Sequence, residues 1–160
     1  MSKRKPVTYL CGPISLKDNE ACRIWRENVS FELEKYGITP SNPFVNSGNN
    51  LSAIREKLAE ATYDKDIDAI RYLVDKHLIK QDLDMVKRCN FITAWIPKDN
   101  GYEICGSYGE ITLAHFLGKP IYIITDRKPT DIPHWAIGCS TEIFICWSAY
   151  YNMIEKDWAK

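Results

Sequence analysis

A chain of 160 residues, 45% hydrophobic and 26% charged, has the length and composition of one soluble globular domain able to bury its own core. Its 21 Lys and Arg balance 21 Asp and Glu, and the longest basic run is Lys3-Arg4-Lys5. That argues against a nucleic-acid polymer as partner, because tracking a phosphate backbone takes a basic stripe. Apolar runs such as Ile121-Tyr122-Ile123-Ile124 fall far short of the roughly 20 residues of a membrane span. Residues 1–8 also lack a signal peptide's apolar middle, so the expectation is a cytoplasmic protein.

In chain order, β-branched and aromatic residues predict strands at Val7–Cys11, Gly37–Pro40, Phe91–Ile96, Ile121–Thr125 and Glu142–Cys146. Helical periodicity predicts helices at Asn19–Tyr36, Leu51–Ala61, Asp66–Cys89 with a break near Asp75, Ser107–Leu117 and Ser148–Asp157. The strands do not alternate apolar with polar residues, and helices separate them. Both features belong to a parallel sheet covered on two faces. The expected fold is α/β: one domain over residues 1–160, an open, doubly wound sheet of the Rossmann or flavodoxin-like kind, with about five strands and flanking helices. Ligands of such sheets bind beyond the carboxyl ends of the strands. That directs attention to Gly12-Pro13-Ile14-Ser15, to 97–108 and to 126–138, with the Pro- and Asn-rich loop Thr39–Asn50 overhanging the same edge.

Six cysteines are present, several inside apolar stretches such as Thr8–Cys11 and Ile143–Cys146, which predicts buried, reduced thiols. No Cys-x-x-Cys pair occurs, and His77, His115 and His134 stand far apart. Neither a structural metal nor a cofactor is expected. The Gly-x-Gly-x-x-Gly and Gly-x-x-x-x-Gly-Lys-[Ser/Thr] fingerprints are absent, and Gly106-Ser107-Tyr108-Gly109 is one residue short of a hydrolase nucleophile elbow.

Two carboxylates sit where apolar residues belong. Ser107-Tyr108-Gly109-Glu110 ahead of an apolar run has the form of a capping box. On a helical wheel, however, Glu110 shares its face with Leu113, Ala114 and Leu117, which turns it toward the sheet edge, so both readings stand. Asp82 is the sharper anomaly, because Leu78, Ile79, Met85, Val86 and Cys89 all fall within about 60° of it on the wheel. A carboxylate in an apolar stripe is either hydrogen-bonded to a neighbouring element or kept for chemistry. Tyr9 faces the same way as Val7 and Cys11 and ends the first strand, as a core tyrosine or as a third member of the group. Together Tyr9, Asp82 and Glu110 form a plausible acid, base and nucleophile set, and paired carboxyl groups are the usual means of cutting glycosidic bonds.

Four segments in register over about Val7 to Gly138 carry a resemblance: Tyr9-Leu10-Cys11-Gly12-Pro13-Ile14, Gln81-Asp82-Leu83 followed by Arg88–Pro97, Gly106–Ile111 and Gly118-Lys119-Pro120-Ile121. In these the chain resembles the nucleoside 2-deoxyribosyltransferase family, which includes deoxynucleoside monophosphate N-glycosidases. The resemblance implies a double displacement at the anomeric carbon of a 2-deoxyribosyl group. Glu110 matches the nucleophile, Tyr9 the tyrosine that holds it in line, and Asp82 the acid that protonates the leaving base. Gly12, Pro13, Ile14, Ser15, Gly106 and Ser107 match positions that line the substrate pocket.

The chain also departs from the family pattern. Where the family places a sugar-binding Asp or a phosphate-binding Ser, six residues before the nucleophile, this chain has Ile104. A shifted loop would give that role to Glu103 or Asp99. Asn90 stands where an Asp is usual, and Pro133 followed by His134 stands where a residue would reach a neighbouring subunit's site. The implied partners are a small nucleoside or nucleotide and a free nucleobase, within a homo-oligomer. Transfer from free 2′-deoxynucleosides is the leading expectation. Hydrolysis of a nucleoside 5′-monophosphate is the alternative, with Ser15, Lys17 and Arg23 as anion ligands or, on the plainer reading, a solvated helix face. A non-catalytic nucleotide-binding sensor is a third expectation.

Overall fold

The computed structural model describes residues 4–13, 19–44, 51–98 and 105–159. Five parallel strands, β1 (Val7–Cys11), β2 (Thr39–Ser41), β3 (Phe91–Trp95), β4 (Ile121–Ile124) and β5 (Glu142–Phe144), lie in the order β2-β1-β3-β4-β5. The chain runs outward from β1 to β2, then crosses back to continue in the other direction from β3. The topological switch point therefore falls between β1 and β3, where Tyr9 pairs in register with Ile92 and Cys11 with Ala94.

Helices cover both faces. The strand period of two sends Tyr9, Cys11, Ile92, Ala94, Ile121 and Ile123 to one face, against α4 (Lys80–Arg88), α5 (Cys105–Phe116) and α6 (His134–Cys139). Leu10, Phe91, Tyr122 and Ile124 go to the other, against α1 (Asn19–Lys35) and α7 (Trp147–Asp157). The second layer is aromatic, with Phe91 against Trp158 at 4.2 Å between ring centroids and Trp147 packed on both Trp25 and Trp95. It also contains a buried polar chain, Thr8 to Thr93 at 2.8 Å and Thr93 to Tyr150 at 2.5 Å, which ties the sheet to α7.

All five predicted strands and the helices between them form, and the differences have local causes. The predicted break near Asp75 is a widened turn: α3 (Ile67–Val74) runs through a π-helical turn at Asp75–Ile79 directly into α4. The extra residue in that turn rotates everything before Lys80 relative to Asp82, so Ile79, placed by the wheel on Asp82's face, is instead 48% exposed. α2 (Leu51–Tyr63) extends beyond its predicted end. The segment after β4, where no element is predicted, holds a 3₁₀ turn at Pro129–Asp131 and α6; six residues are too short for a periodic signal. Cys11, Cys22, Cys89 and Cys139 are buried as expected, but Cys146 is exposed, because β5 ends at Phe144 and Cys146 caps α7.

Arg26 is the fold's least expected core residue. It occupies the middle of the inward stripe Cys22–Arg26–Val29–Leu33 of α1 and is 1% exposed. Its guanidinium donates to the carbonyls of Leu10 (3.3 Å), Gly12 (2.9 Å), Pro13 (3.2 Å) and Cys22 (2.8 Å), pinning the carboxyl end of β1 to α1. Phe44, in the segment after β2, covers the same guanidinium at 5.1 Å, so the part of the Thr39–Asn50 loop within the described residues does come down on that edge. Gly12 has no room for a side chain, since a Cβ there would lie 2.6 Å from the Trp25 ring and 3.1 Å from the Trp95 carbonyl. Arg26→Met should strip a charged donor from four carbonyls and cost about 3 kcal/mol or more of unfolding free energy. Urea denaturation followed by tryptophan fluorescence reads this directly, and a midpoint unchanged from wild type would contradict it.

Candidate active site

At the carboxyl ends of β1 and β3, the first two turns of α5 bring Glu110 inward, onto the sheet edge. The buried face of α5 is Ser107, Glu110, Ile111 and Ala114. Leu117, placed on that face by the wheel, lies past the helix end and is 43% exposed. The capping-box reading fails on position: α5 already begins at Cys105, so Ser107 lies within its first turn and Glu110 is turned inside.

Three donors converge on the Glu110 carboxylate. Tyr9 Oη donates to Oε1 at 3.0 Å, and Cys11 Sγ donates to Oε2 at 3.0 Å. Asp82, projecting from the first turn of α4, is hydrogen-bonded to the same carboxylate. Two of the donors come from alternate residues of one strand and the third from a helix on the same face. The group is thus a direct product of strand periodicity and layer packing.

Burial raises the pKa of every acid here. Desolvation lifts Glu110, while the hydrogen bonds from Cys11 and Tyr9, the positive charge of Arg26 and the bond from Asp82 pull it back down. Asp82 is lifted by desolvation and then by the adjacent negative charge of Glu110, from the ordinary 3.8 to about 7. The two carboxyl groups therefore titrate as a pair that shares a proton near neutral pH. Tyr9 and Cys11 are pushed well above their usual ranges by burial and by Glu110, which keeps both protonated as donors. Arg26, lying beyond the strand end, is the cation that offsets the single negative charge. Such an arrangement offers one anionic oxygen and one transferable proton side by side.

Of the sequence-predicted residues, Tyr9, Asp82 and Glu110 are brought together. Gly12 and Pro13 lie buried where β1 ends, held through their carbonyls by Arg26. Gly106 and Ser107 lie in the first turn of α5, where backbone N–H groups have no intrahelical acceptor. His134 opens α6 and is exposed. Ile14, Ser15, Lys17, Asp99 and Glu103 lie outside the described residues. Arg23 is on the solvent side of α1 and pairs with Glu27 at 2.5 Å, as a solvated helix face would have it. A separate cleft of about 530 Å³, lined by Val7, Thr39, Ser41, Gln81, Met85 and Arg88, lies along β2 and shares no member with the Glu110 group.

Sequence reasoning missed two contributors, and both carried a signal. Cys11 is two residues from Tyr9 on one strand, so it had to face Glu110 if Tyr9 did. Arg26 breaks an apolar stripe at i, i+4, i+7 and i+11 just as Asp82 does.

No protein-family model matches the chain, and no curated protein matches it. Solved structures do. A 2-deoxyribosyltransferase from the psychrotolerant bacterium Bacillus psychrosaccharolyticus superposes with a TM-score of 0.64 at 17% identity, over 91% of this chain and 90% of that one. This is the 2-deoxyribosyltransferase fold. A conserved protein from Enterococcus faecalis matches with a TM-score of 0.65 at 14% identity, over 96% and 99% of the two chains. The Clostridium botulinum CMP N-glycosidase BcmB matches with a TM-score of 0.51 at 18% identity, over 94% and 98%. Among the described residues no helix is long and apolar enough to cross a membrane.

The raised Asp82 makes stability depend on pH with a definite sign. Below pH 3.8 folded and unfolded chains both hold its proton. Between 3.8 and about 7 only the folded protein does, so folding takes up a proton and stability falls as pH rises; above about 7 the effect is complete. Thermal melts of wild type and Asp82→Asn across this range should show the variant gaining relative stability as pH increases. A difference in melting temperature that stays constant with pH would show that Asp82 titrates normally.

Proposed function

We propose that this protein cleaves the N-glycosidic bond of a 2′-deoxynucleoside through a covalent glycosyl ester on Glu110 and passes the sugar to a second base. The observation that carries the reading is the meeting of two buried carboxyl groups, Glu110 and Asp82, hydrogen-bonded to each other at the β1/β3 switch point. Glycosidases that invert keep their two carboxyl groups about 6.5–9.5 Å apart to hold a water between them, whereas double displacement uses a closer pair. Carboxyl groups in hydrogen-bond contact leave no place for that water. The likeness in fold to a 2-deoxyribosyltransferase supports the same chemistry.

In the proposed reaction a Glu110 oxygen attacks C1′ and the bond to the base breaks. The leaving nitrogen takes the proton of Asp82, whose pKa of about 7 suits both its loss and its return. A nitrogen of the second base then attacks C1′, the ester bond breaks and restores the Glu110 carboxylate, and Asp82 recovers a proton from the incoming base. Tyr9 and Cys11 hold the carboxylate in line throughout. Gly12, Pro13, Gly106 and Ser107, with Ile14, Ser15, Asp99 and Glu103 of the adjoining loops, would line the substrate pocket, and His134 would complete it from the third loop. No cofactor or metal takes part.

Hydrolysis is the second reading, favoured by the likeness in fold to a CMP N-glycosidase; water would then replace the second base at the glycosyl ester. Incubation with 2′-deoxynucleosides and with nucleoside 5′-monophosphates, each with and without a second free base, separates the two. The expected result is a new nucleoside that forms only when the second base is present. Free base released equally in both conditions identifies the hydrolase, and no turnover of any substrate rejects both readings.

Glu110→Ala should abolish turnover while the protein remains folded, and intact-mass spectra of acid-quenched wild type should show one added deoxyribosyl group that the variant lacks. Wild-type rates in Glu110→Ala would remove Glu110 from the chemistry. Asp82→Asn should lower kcat by about 10²–10⁴-fold without lowering the melting temperature. If the variant merely unfolds, Asp82 is structural.

A further inference from the structure

The Glu110 carboxylate has two oxygens, and the tyrosine accounts for only one of them. The other, Oε2, faces the thiol of Cys11 at 3.0 Å, and the thiol's other acceptor among the described residues, the Ser107 carbonyl, is 3.8 Å away. We propose that Cys11 is a positioning residue for Glu110: its S–H clamps Oε2 as the Tyr9 hydroxyl clamps Oε1, so that β1 holds both oxygens of the carboxylate and sets its plane. The role in turnover rests on the reaction proposed above; the clamp itself does not.

Three features separate this from an ordinary buried cysteine. A core thiol normally packs as a small apolar group, but this sulfur touches the one anion of the site. It is fully buried, so water cannot take over its hydrogen bond to Oε2. It is also held in the thiol form, because desolvation and the neighbouring carboxylate both oppose a thiolate, and only the thiol can donate. A small residue without a donor, such as alanine, would leave Oε2 with one partner fewer in a dry site. Among the described residues, the titratable or charged groups that act on Glu110 are Cys11 and Tyr9 from β1, Arg26 from α1 and Asp82 from α4. Among those that stabilise its anion, Cys11 comes first, ahead of Tyr9 and Arg26. Three partners take three of the carboxylate's roughly four lone-pair sites, so the clamp leaves an oxygen able to react.

The test uses Cys11→Ala, which removes the donor, and Cys11→Ser, which restores one. Protein labelled with ¹³C at glutamate side-chain carboxyls is titrated by NMR, the Glu110 signal being assigned by its loss in Glu110→Gln. In Cys11→Ala the lower of the two titration steps of the Asp82–Glu110 pair should move up by about one pKa unit, and Cys11→Ser should recover at least half of that shift. With substrate, the acidic limb of the kcat profile should move by the same amount, and kcat should fall about tenfold in Cys11→Ala with KM little changed. A titration step and a pH profile unmoved in Cys11→Ala would overturn the proposal, as would Ser failing to differ from Ala. If wild type turns over no substrate, the proposed function fails, while the NMR titration still decides the role of Cys11.

Discussion

One buried negative charge organises this molecule. A carboxylate 7% exposed at the end of a parallel sheet is unstable unless its surroundings replace the water it has lost. They do so with the Tyr9 hydroxyl, the Cys11 thiol, the proton of Asp82 and, farther off, the Arg26 guanidinium. Burial raises Tyr9, Cys11 and Asp82 and lowers Arg26, and the charge of Glu110 acts on all four. The group is a single coupled unit, and its most mobile proton rests between two carboxyl groups.

The topology explains why that unit sits where it does. Glu110 and Asp82 come from helices on one face of the sheet and Arg26 from a helix on the other, so charge of opposite sign meets only around the strand ends. The switch point leaves the carboxyl ends of β1 and β3 uncovered by a crossover, which opens room for a ligand. Arg26 then performs two tasks with one side chain. It binds the carbonyls that end β1, fixing the path of Gly12 and Pro13, and it supplies the positive potential that favours the Glu110 anion. Gly12 is glycine because the Trp25 ring fills the space a Cβ would need.

Much of this was legible in the chain. The unalternating strands between helices implied a two-sided parallel sheet, and all five strands form. Asp82 and Glu110 stood out because each broke an apolar helical face, and they do meet. Where the wheel misled, the cause was a change of helical phase: it placed Ile79 beside Asp82 because it assumed an unbroken period of 3.6 residues, and the π-helical turn at Asp75–Ile79 adds one. The capping-box pattern at Ser107 misled for a related reason, since the helix starts at Cys105 and a pattern carries no information about where the first turn begins. Applied to every charged residue, the same wheel would have flagged Arg26. The alternation along β1 already put Cys11 on the face of Tyr9, but a cysteine there reads as packing and not as a donor.

By itself, the sequence determined the periods. Residues two apart on β1 share a side, residues 22, 26, 29 and 33 share a stripe, and Asp82 and Glu110 lie on faces meant for the interior, because backbone geometry makes these relations local. Only the tertiary structure decided the encounters: which strand neighbours β1, that Oε1 goes to a hydroxyl and Oε2 to a thiol, and that Asp82 and Glu110 share a proton. Those outcomes depend on distances between groups as much as 101 residues apart and on how completely water is removed from around them. A one-dimensional pattern specifies neither.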